Sequence, residues 1–238
     1  MVHIQGSIII SNFSCFLGGA PEAINLARQQ HLAGLGLDLQ NKRVLEIGAG
    51  IGLHTPFFLS RGCTVVVTDA RLDNVEEARR RLPGVEVLQL DISNTSDISY
   101  LGRFDLVYCY GLLYHVGNPD QVLARMASVC DDKILLETCV NTDVEKTLLT
   151  VNDSGGNNSS ATGSGCRPSR AWVLDQLNQL WGHGYISCTQ PNFHDFVLDW
   201  SNDTGMTRSI FVGSRQPLAL PTLSTVPLQQ QQRYEHKE

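Results

Sequence analysis

One alternation governs what this chain can fold into. From residue 43 to residue 138, short β-branched runs and amphipathic stretches take turns. The runs at 43–47, 63–68, 85–90, 104–109 and 133–138 read as strands. The run at 63–68 is apolar throughout its middle, as a strand buried on both faces requires. The stretches at 54–61, 71–82 and 120–129 read as helices. In the second, Leu72, Val75, Ala78 and Leu82 share one face; in the third, Val122, Leu123, Met126 and Val129 do. A further helix over 21–35 precedes the first strand, and another follows Pro168 with Ser169 as its cap. Strand, helix, strand at this cadence predicts a doubly wound, mostly parallel sheet with helices on both faces. The runs at 185–189 and 208–212 read as two closing strands, near enough in sequence to pair antiparallel. In such sheets a ligand binds beyond the carboxyl ends of the strands.

Composition narrows the function classes. The chain has 238 residues, 18 Lys plus Arg against 24 Asp plus Glu, and a formal charge of −6. An acidic chain without a long basic run weighs against nucleic acid as partner, because that binding rests on phosphate neutralisation. No apolar run is long enough to span a bilayer, and the first twenty residues carry no Lys or Arg, so no signal peptide is read there. Seven cysteines at 15, 63, 109, 130, 139, 166 and 188 lack close-pair metal spacing and fit small buried thiols of a reducing cytoplasm. No metal site is expected. Residues 1–20 are set apart as an N-terminal segment and 21–215 as one domain. Within it the Gly/Ser/Asn-rich stretch 150–167 reads as a flexible, lid-like loop. The tail 216–238, with three prolines and four consecutive glutamines, reads as disordered.

The turn after the first strand carries the chemistry. In Val44-Leu-Glu-Ile-Gly-Ala-Gly-Ile-Gly52, glycines stand at 48, 50 and 52. Glycines there let a ligand approach the backbone at a helix start. The spacing departs from the dinucleotide pattern, with Leu53 standing where that pattern wants glycine. Glu46, two residues before the first glycine, suits a cationic amino-acid group rather than a phosphate. Asp69 ends the second strand, where a carboxylate can grip both ribose hydroxyls. Asp91 follows the third strand, where an acceptor suits an adenine amino group with Ile92 against the ring.

These motifs resemble the class I S-adenosylmethionine-dependent methyltransferases. The carrying residues are E-I-G-A-G-I-G (46–52), T-D-A (68–70), L-D-I (90–92) and F-D-L-V-Y-C-Y-G-L-L-Y-H-V (104–116). The resemblance implies a seven-stranded sheet of order 3-2-1-4-5-7-6 with the last strand antiparallel. It implies S-adenosyl-L-methionine as cofactor, held by Glu46, Gly48, Ala49, Gly50, Gly52, Asp69, Ala70, Asp91, Ile92 and Tyr110. The expected reaction is methyl transfer to an O or N atom of a small molecule. His115, after the fourth strand, and His194, between the closing strands, are the candidate bases. Arg167 and Arg170, near a helix start, could hold an anionic group of the acceptor, and Trp200 could line its pocket. The segment Gly111-Leu-Leu-Tyr-His115 also resembles the branch that modifies wobble uridine of tRNA with a carboxymethyl donor. Two rivals stay open: a cofactor-binding partner subunit without catalysis, and a nicotinamide oxidoreductase.

Overall fold

The computed structural model describes residues 13–154, 159–201 and 207–235. The first twelve residues of the expected N-terminal segment, four of the lid-like loop and the last three of the tail lie outside the described residues.

The alternation folds as expected. Helix α1 (Gly19–Gly34) precedes β1 (Arg43–Ile47), α2 (Thr55–Leu59), β2 (Thr64–Asp69), α3 (Leu72–Arg81), β3 (Glu86–Gln89) and β4 (Phe104–Tyr110). A 3-10 turn (Leu113–His115) leads to α4 (Pro119–Val129) and β5 (Cys130–Val140). Next come β6 (Leu148–Asn152), β7 (Ser164–Pro168), α5 (Arg170–Trp181), β8 (His183–Ser187), β9 (Thr189–Gln190) and β10 (Thr207–Ser214). The chain closes with β11 (Leu223–Ser224) and β12 (Gln232–Arg233). The main sheet runs β11-β8-β10-β5-β4-β1-β2-β3. Strands β3, β2, β1, β4 and β5 are parallel to one another, while β10 is antiparallel to both β5 and β8. This is the expected order 3-2-1-4-5-7-6, lengthened by β11 at one edge.

Alternation along each strand feeds two cores. Leu45, Ile47, Ile134 and Leu136 face a cluster with Met126 of α4 and Leu177 and Trp181 of α5. Val44, Val67, Leu135 and Val212 face the other, with Leu32 of α1, Phe57 and Phe58 of α2, and Val75 and Ala78 of α3. Each buried aliphatic or aromatic side chain contributes about 1.5–3 kcal/mol. Ser169 caps α5 as its sequence position predicts, its hydroxyl accepting from the Trp172 amide at 3.1 Å. All seven cysteines are free thiols, five of them buried.

Two expectations are corrected. The tail is ordered through residue 235 rather than disordered from 216. Strand β11 pairs with β8, and β12 pairs in parallel with β9. Gln231 is buried, and its amide oxygen accepts from Gln190 at 2.9 Å and from the Trp200 indole at 2.6 Å. Its amide nitrogen donates to the Ser187 carbonyl at 2.6 Å. A buried amide with these three bonds is satisfied, so burial costs little. The Tyr234 ring packs against Gly34 so closely that a Cβ there would lie 2.2 Å from it. The stretch 150–167, expected as a flexible, lid-like loop, has strand structure at both ends. Strands β6 and β7 pair antiparallel from Leu148↔Pro168 to Asn152↔Ser164, which puts its two ends in a hairpin. No helix among the described residues is long and apolar enough to cross a membrane.

Candidate active site

A cavity of about 370 Å³ opens at the carboxyl ends of β1, β2, β3 and β4. Its size suits a cofactor-sized ligand. One half is built by the turns that follow the strands. Gly48 and Gly50 have φ values of +69° and +56°, where a side chain is strained. Space forbids one too: a Cβ on Gly48 would lie 2.8 Å from Leu112, and one on Gly50 would lie 2.6 Å from the Phe16 ring. Phe16 comes from the segment before α1 and covers the glycine turn. The amide of Ala49 bonds the Thr68 carbonyl at 3.0 Å, which fixes the turn to β2.

Two carboxylates anchor this half. Asp69 is buried and accepts from the amides of Gly50 (2.8 Å) and Arg71 (2.9 Å) and from the Asn74 side chain (3.0 Å). Burial raises its pKa, and these donors oppose the rise. Glu46 is buried beside the turn and accepts from the Thr55 hydroxyl at 2.7 Å. Burial pushes it up to about 7. A carboxyl poised there pairs well with an incoming cation. Asp91 holds its own turn, accepting from the Ser93 amide at 3.0 Å and from the Asn94 side chain at 2.5 Å.

The other half draws on distant segments. Glu137 of β5 is fully buried between two guanidinium groups, Arg28 of α1 at 2.7 Å and Arg208 of β10 at 3.1 Å. Arg208 also meets Asp195 at 3.2 Å and donates to the Tyr114 hydroxyl at 3.2 Å. His54 bonds the Tyr108 hydroxyl at 2.5 Å and Asn25 at 2.9 Å. Burial, with a smaller contribution from the Arg28 charge, lowers this imidazole's pKa to about 3 and holds it neutral. Tyr110 stacks on Tyr108 with ring centroids 4.4 Å apart, and its buried hydroxyl has no partner among the described residues. His115 lies at the end of the 3-10 turn after β4, its Nδ1 2.5 Å from Asp153. Its Nε2 is buried and has no partner among the described residues.

Residues 44–133 match a protein family described as "Methyltransferase domain". The match runs from β1 into β5, less than half of the chain. A tRNA U34 carboxymethyltransferase from Histophilus somni (strain 129Pt) is 31% identical over 118 residues, which cover 47% of this chain and 37% of that protein. A ubiquinone biosynthesis O-methyltransferase from Xanthomonas oryzae pv. oryzae (strain PXO99A) is 30% identical over 136 residues, covering 54% of this chain and 56% of that protein. The chain thus spans less than two thirds of the length of the curated relatives it matches. The N-terminal domain of EvdMO1, crystallised in the presence of SAH and D-fucose, superposes with a TM-score of 0.65 at 21% identity. That likeness covers 84% of this chain and 85% of the other. Magnesium protoporphyrin IX methyltransferase (ChlM) from Synechocystis PCC 6803, solved with bound SAM, superposes with a TM-score of 0.54 at 16% identity. It covers 86% of this chain and 89% of the other. The fold is the class I methyltransferase fold.

Within this fold the expected residues divide sharply. Glu46, Gly48, Ala49, Gly50, Asp69, Ala70, Asp91, Ile92, Tyr110, His115 and His194 all line the one cavity. Gly52 does not. A Cβ there would lie 2.5 Å from Leu82, so this glycine serves packing between the turn and α3. Arg170 and Trp200 are also off the cavity. The guanidinium of Arg170 lies 3.7 Å over the Trp200 ring and donates to the Leu228 carbonyl at 2.6 Å. Both are buried and hold the tail in place rather than an acceptor. Arg167 donates to the backbone carbonyls of Tyr114 (3.2 Å) and Cys166 (2.7 Å) and lies outside the cavity lining. His194 reaches only the rim: its side chain is 79% exposed and pairs with neighbouring Asp195 at 3.2 Å.

The sequence reading missed Arg28, His54, Glu137, Asp153 and Arg208. One signal was available. A Glu in the middle of the fifth apolar strand run, and an Arg opening the last, are charges where a buried sheet tolerates them only in pairs.

Proposed function

We propose that this chain is an S-adenosylmethionine-dependent methyltransferase acting on an O or N atom of a small molecule. The observation that carries the reading is a single cavity. It joins the glycine turn, Glu46, Asp69 and Asp91 to His115 beyond the end of β4. The residues fit the cofactor. Glu46, a buried carboxyl at its titration point near neutral pH, suits an ammonium group. Asp69 keeps lone pairs beyond its three donors for ribose hydroxyls, and Leu90, Asp91 and Ile92 line the part of the cavity assigned to adenine. Tyr110 offers an unsatisfied hydroxyl between the two halves. When bound, the cofactor supplies a methyl group on a sulfonium centre.

The chain's own residues then align and deprotonate. The glycine turn and strand ends fix the donor side, and proximity of this kind supplies several kcal/mol of the barrier. Tyr114, Phe193 and the Arg208–Glu137–Arg28 group bound the acceptor side. His115 takes the acceptor's proton. His194, solvated at the rim, is the weaker candidate for that role.

A second reading has one observation in its favour: the tRNA-modifying relatives at 31% identity. The net charge of −6 speaks for the small acceptor. The deciding experiment gives the chain S-adenosylmethionine or its carboxylated form, each labelled in the transferable carbon, with three acceptor sets. These are deoxy sugars and phenols, amino analogues of the same compounds, and tRNA lacking wobble modification. Label on a small molecule supports the proposal. Label on tRNA alone favours the second reading, and adenosylhomocysteine binding with no transfer to any set favours a non-catalytic subunit.

A further inference from the structure

His115 has a partner in the β6–β7 hairpin. Asp153 follows β6 and belongs to the hairpin, 38 residues beyond the histidine. One carboxylate oxygen lies 2.5 Å from His115 Nδ1, and the same oxygen accepts the Ser160 amide at 2.9 Å. Both side chains are largely buried, 15% and 18% exposed. An ionised carboxylate only accepts, so the proton between them sits on Nδ1. That leaves a bare lone pair on Nε2, the atom that is buried without a partner among the described residues. The Asp153 contact therefore decides which nitrogen is basic.

The surroundings bear on the acceptor's chemistry. Besides Asp153, the charged and titratable groups facing this imidazole are Arg208 of β10, Arg167 of β7 and Tyr114, whose ring centroid is 4.0 Å away. Burial lowers the His115 pKa, Asp153 opposes that, and the two arginines add to the lowering. A field that resists a positive imidazole also resists an ammonium acceptor beside it. A thiol ionises near neutral pH and gains least from a base. A hydroxyl gains most.

We propose that Asp153 is a positioning residue that holds His115 as an Nε2 base, and that the acceptor atom is the oxygen of a neutral hydroxyl. This rests on the methyltransferase reading above. The hydroxyl proton passes to Nε2 as the oxygen's electron pair forms the new bond to the methyl carbon. The carbon–sulfur bond breaks with its pair staying on sulfur, which becomes a neutral thioether. Asp153 stabilises the imidazolium until the proton leaves to solvent.

The test needs no known acceptor at its first stage. The full chain is labelled with 15N-histidine, saturated with adenosylhomocysteine, and its imidazole shifts are followed against pH. The expected result is an Nδ1-protonated His115 at pH 7.5, with a midpoint that falls by about one pH unit in Asp153→Asn. Asparagine can donate where aspartate only accepts, so the variant also admits the opposite tautomer. An Nε2-protonated His115 in the unmodified protein overturns the dyad, whatever the variant's folding. A midpoint unmoved in a variant that still binds adenosylhomocysteine overturns it too. At the second stage, the hydroxylated acceptor that takes label is used with both variants. Asp153→Asn is expected to lose roughly 10–100-fold in kcat with the KM for S-adenosylmethionine unchanged, and His115→Gln at least as much. An unimpaired His115→Gln breaks the base reading beneath the proposal. An inactive His115→Gln beside an unimpaired Asp153→Asn breaks the dyad alone. Label found on nitrogen of the amino analogues, and not on the hydroxyl set, overturns the hydroxyl assignment.

Discussion

The two halves of the cavity are built by different means. The donor half consists of four short turns, each following its own strand, so every residue that matters lies within a few positions of a strand end. The acceptor half is assembled from α1, β5, β10, the 3-10 turn and the β6–β7 hairpin. Its members are far apart in sequence: Arg28 and Glu137 are separated by 109 residues, Glu137 and Arg208 by 71, and Tyr114 and Arg208 by 94. The first half is local in the chain and makes the fold's generic pocket. The second depends on tertiary packing and, on the function proposed above, is where one acceptor would be told from another.

Four substitutions or conditions sharpen that contrast, and the largest effect belongs to the acceptor half. Glu137→Gln leaves two buried guanidinium groups without their shared anion. Urea denaturation is expected to show a loss of about 3–5 kcal/mol, since breaking a buried pair strands a charge in the interior. A loss under 1 kcal/mol would mean that the network is solvated and not part of the core. On the donor side, Asp69→Ala removes the acceptor of the Gly50 amide and the expected ribose contact. Calorimetry should find adenosylhomocysteine binding about 10–100-fold weaker, and denaturation a stability loss of about 1–3 kcal/mol, since three donors lose a buried acceptor. Unchanged affinity would dissociate this strand end from the ligand.

Glu46 links the donor half to pH. Burial raises its carboxyl from 4.5 to about 7. A cationic ligand prefers the ionised form, so affinity for adenosylhomocysteine rises as pH passes upward through 7. It should fall by up to about tenfold between pH 7.5 and pH 6, and Glu46→Gln should flatten that profile. Folding stability moves the other way. The folded state holds this proton more tightly than the unfolded chain does, so its contribution to stability declines between pH 4.5 and 7. The smallest effect is expected at the rim. His194→Gln should change methyl transfer and stability within about 0.5 kcal/mol, because the side chain is exposed and paired only with its neighbour.

The same contrast explains what could be read without coordinates. The β1 run 43–47 has identical bounds in sequence and structure, and the glycine turn, Asp69 and Asp91 fall where strand ends must put a ligand. Periodicity and turn chemistry are local signals and survive in a single sequence. The misreadings are all tertiary. Arg170 and Trp200 have the chemistry of an acceptor pocket, but they are spent on each other and on the Leu228 carbonyl. The glutamine-rich tail looks unfoldable by composition, yet Gln231 finds three partners supplied by Gln190, Trp200 and Ser187. Asp153 sits in a Gly/Ser/Asn-rich stretch, and nothing in its neighbours indicates that it meets a histidine after β4.

The measurement that bears most directly on the central claim is a calorimetric titration of the full chain with adenosylhomocysteine and, separately, with NADH. Stoichiometric binding of adenosylhomocysteine, weakened in Asp69→Ala, together with no heat from NADH, is the predicted result. Tight NADH binding with no binding of adenosylhomocysteine would contradict the account at its foundation.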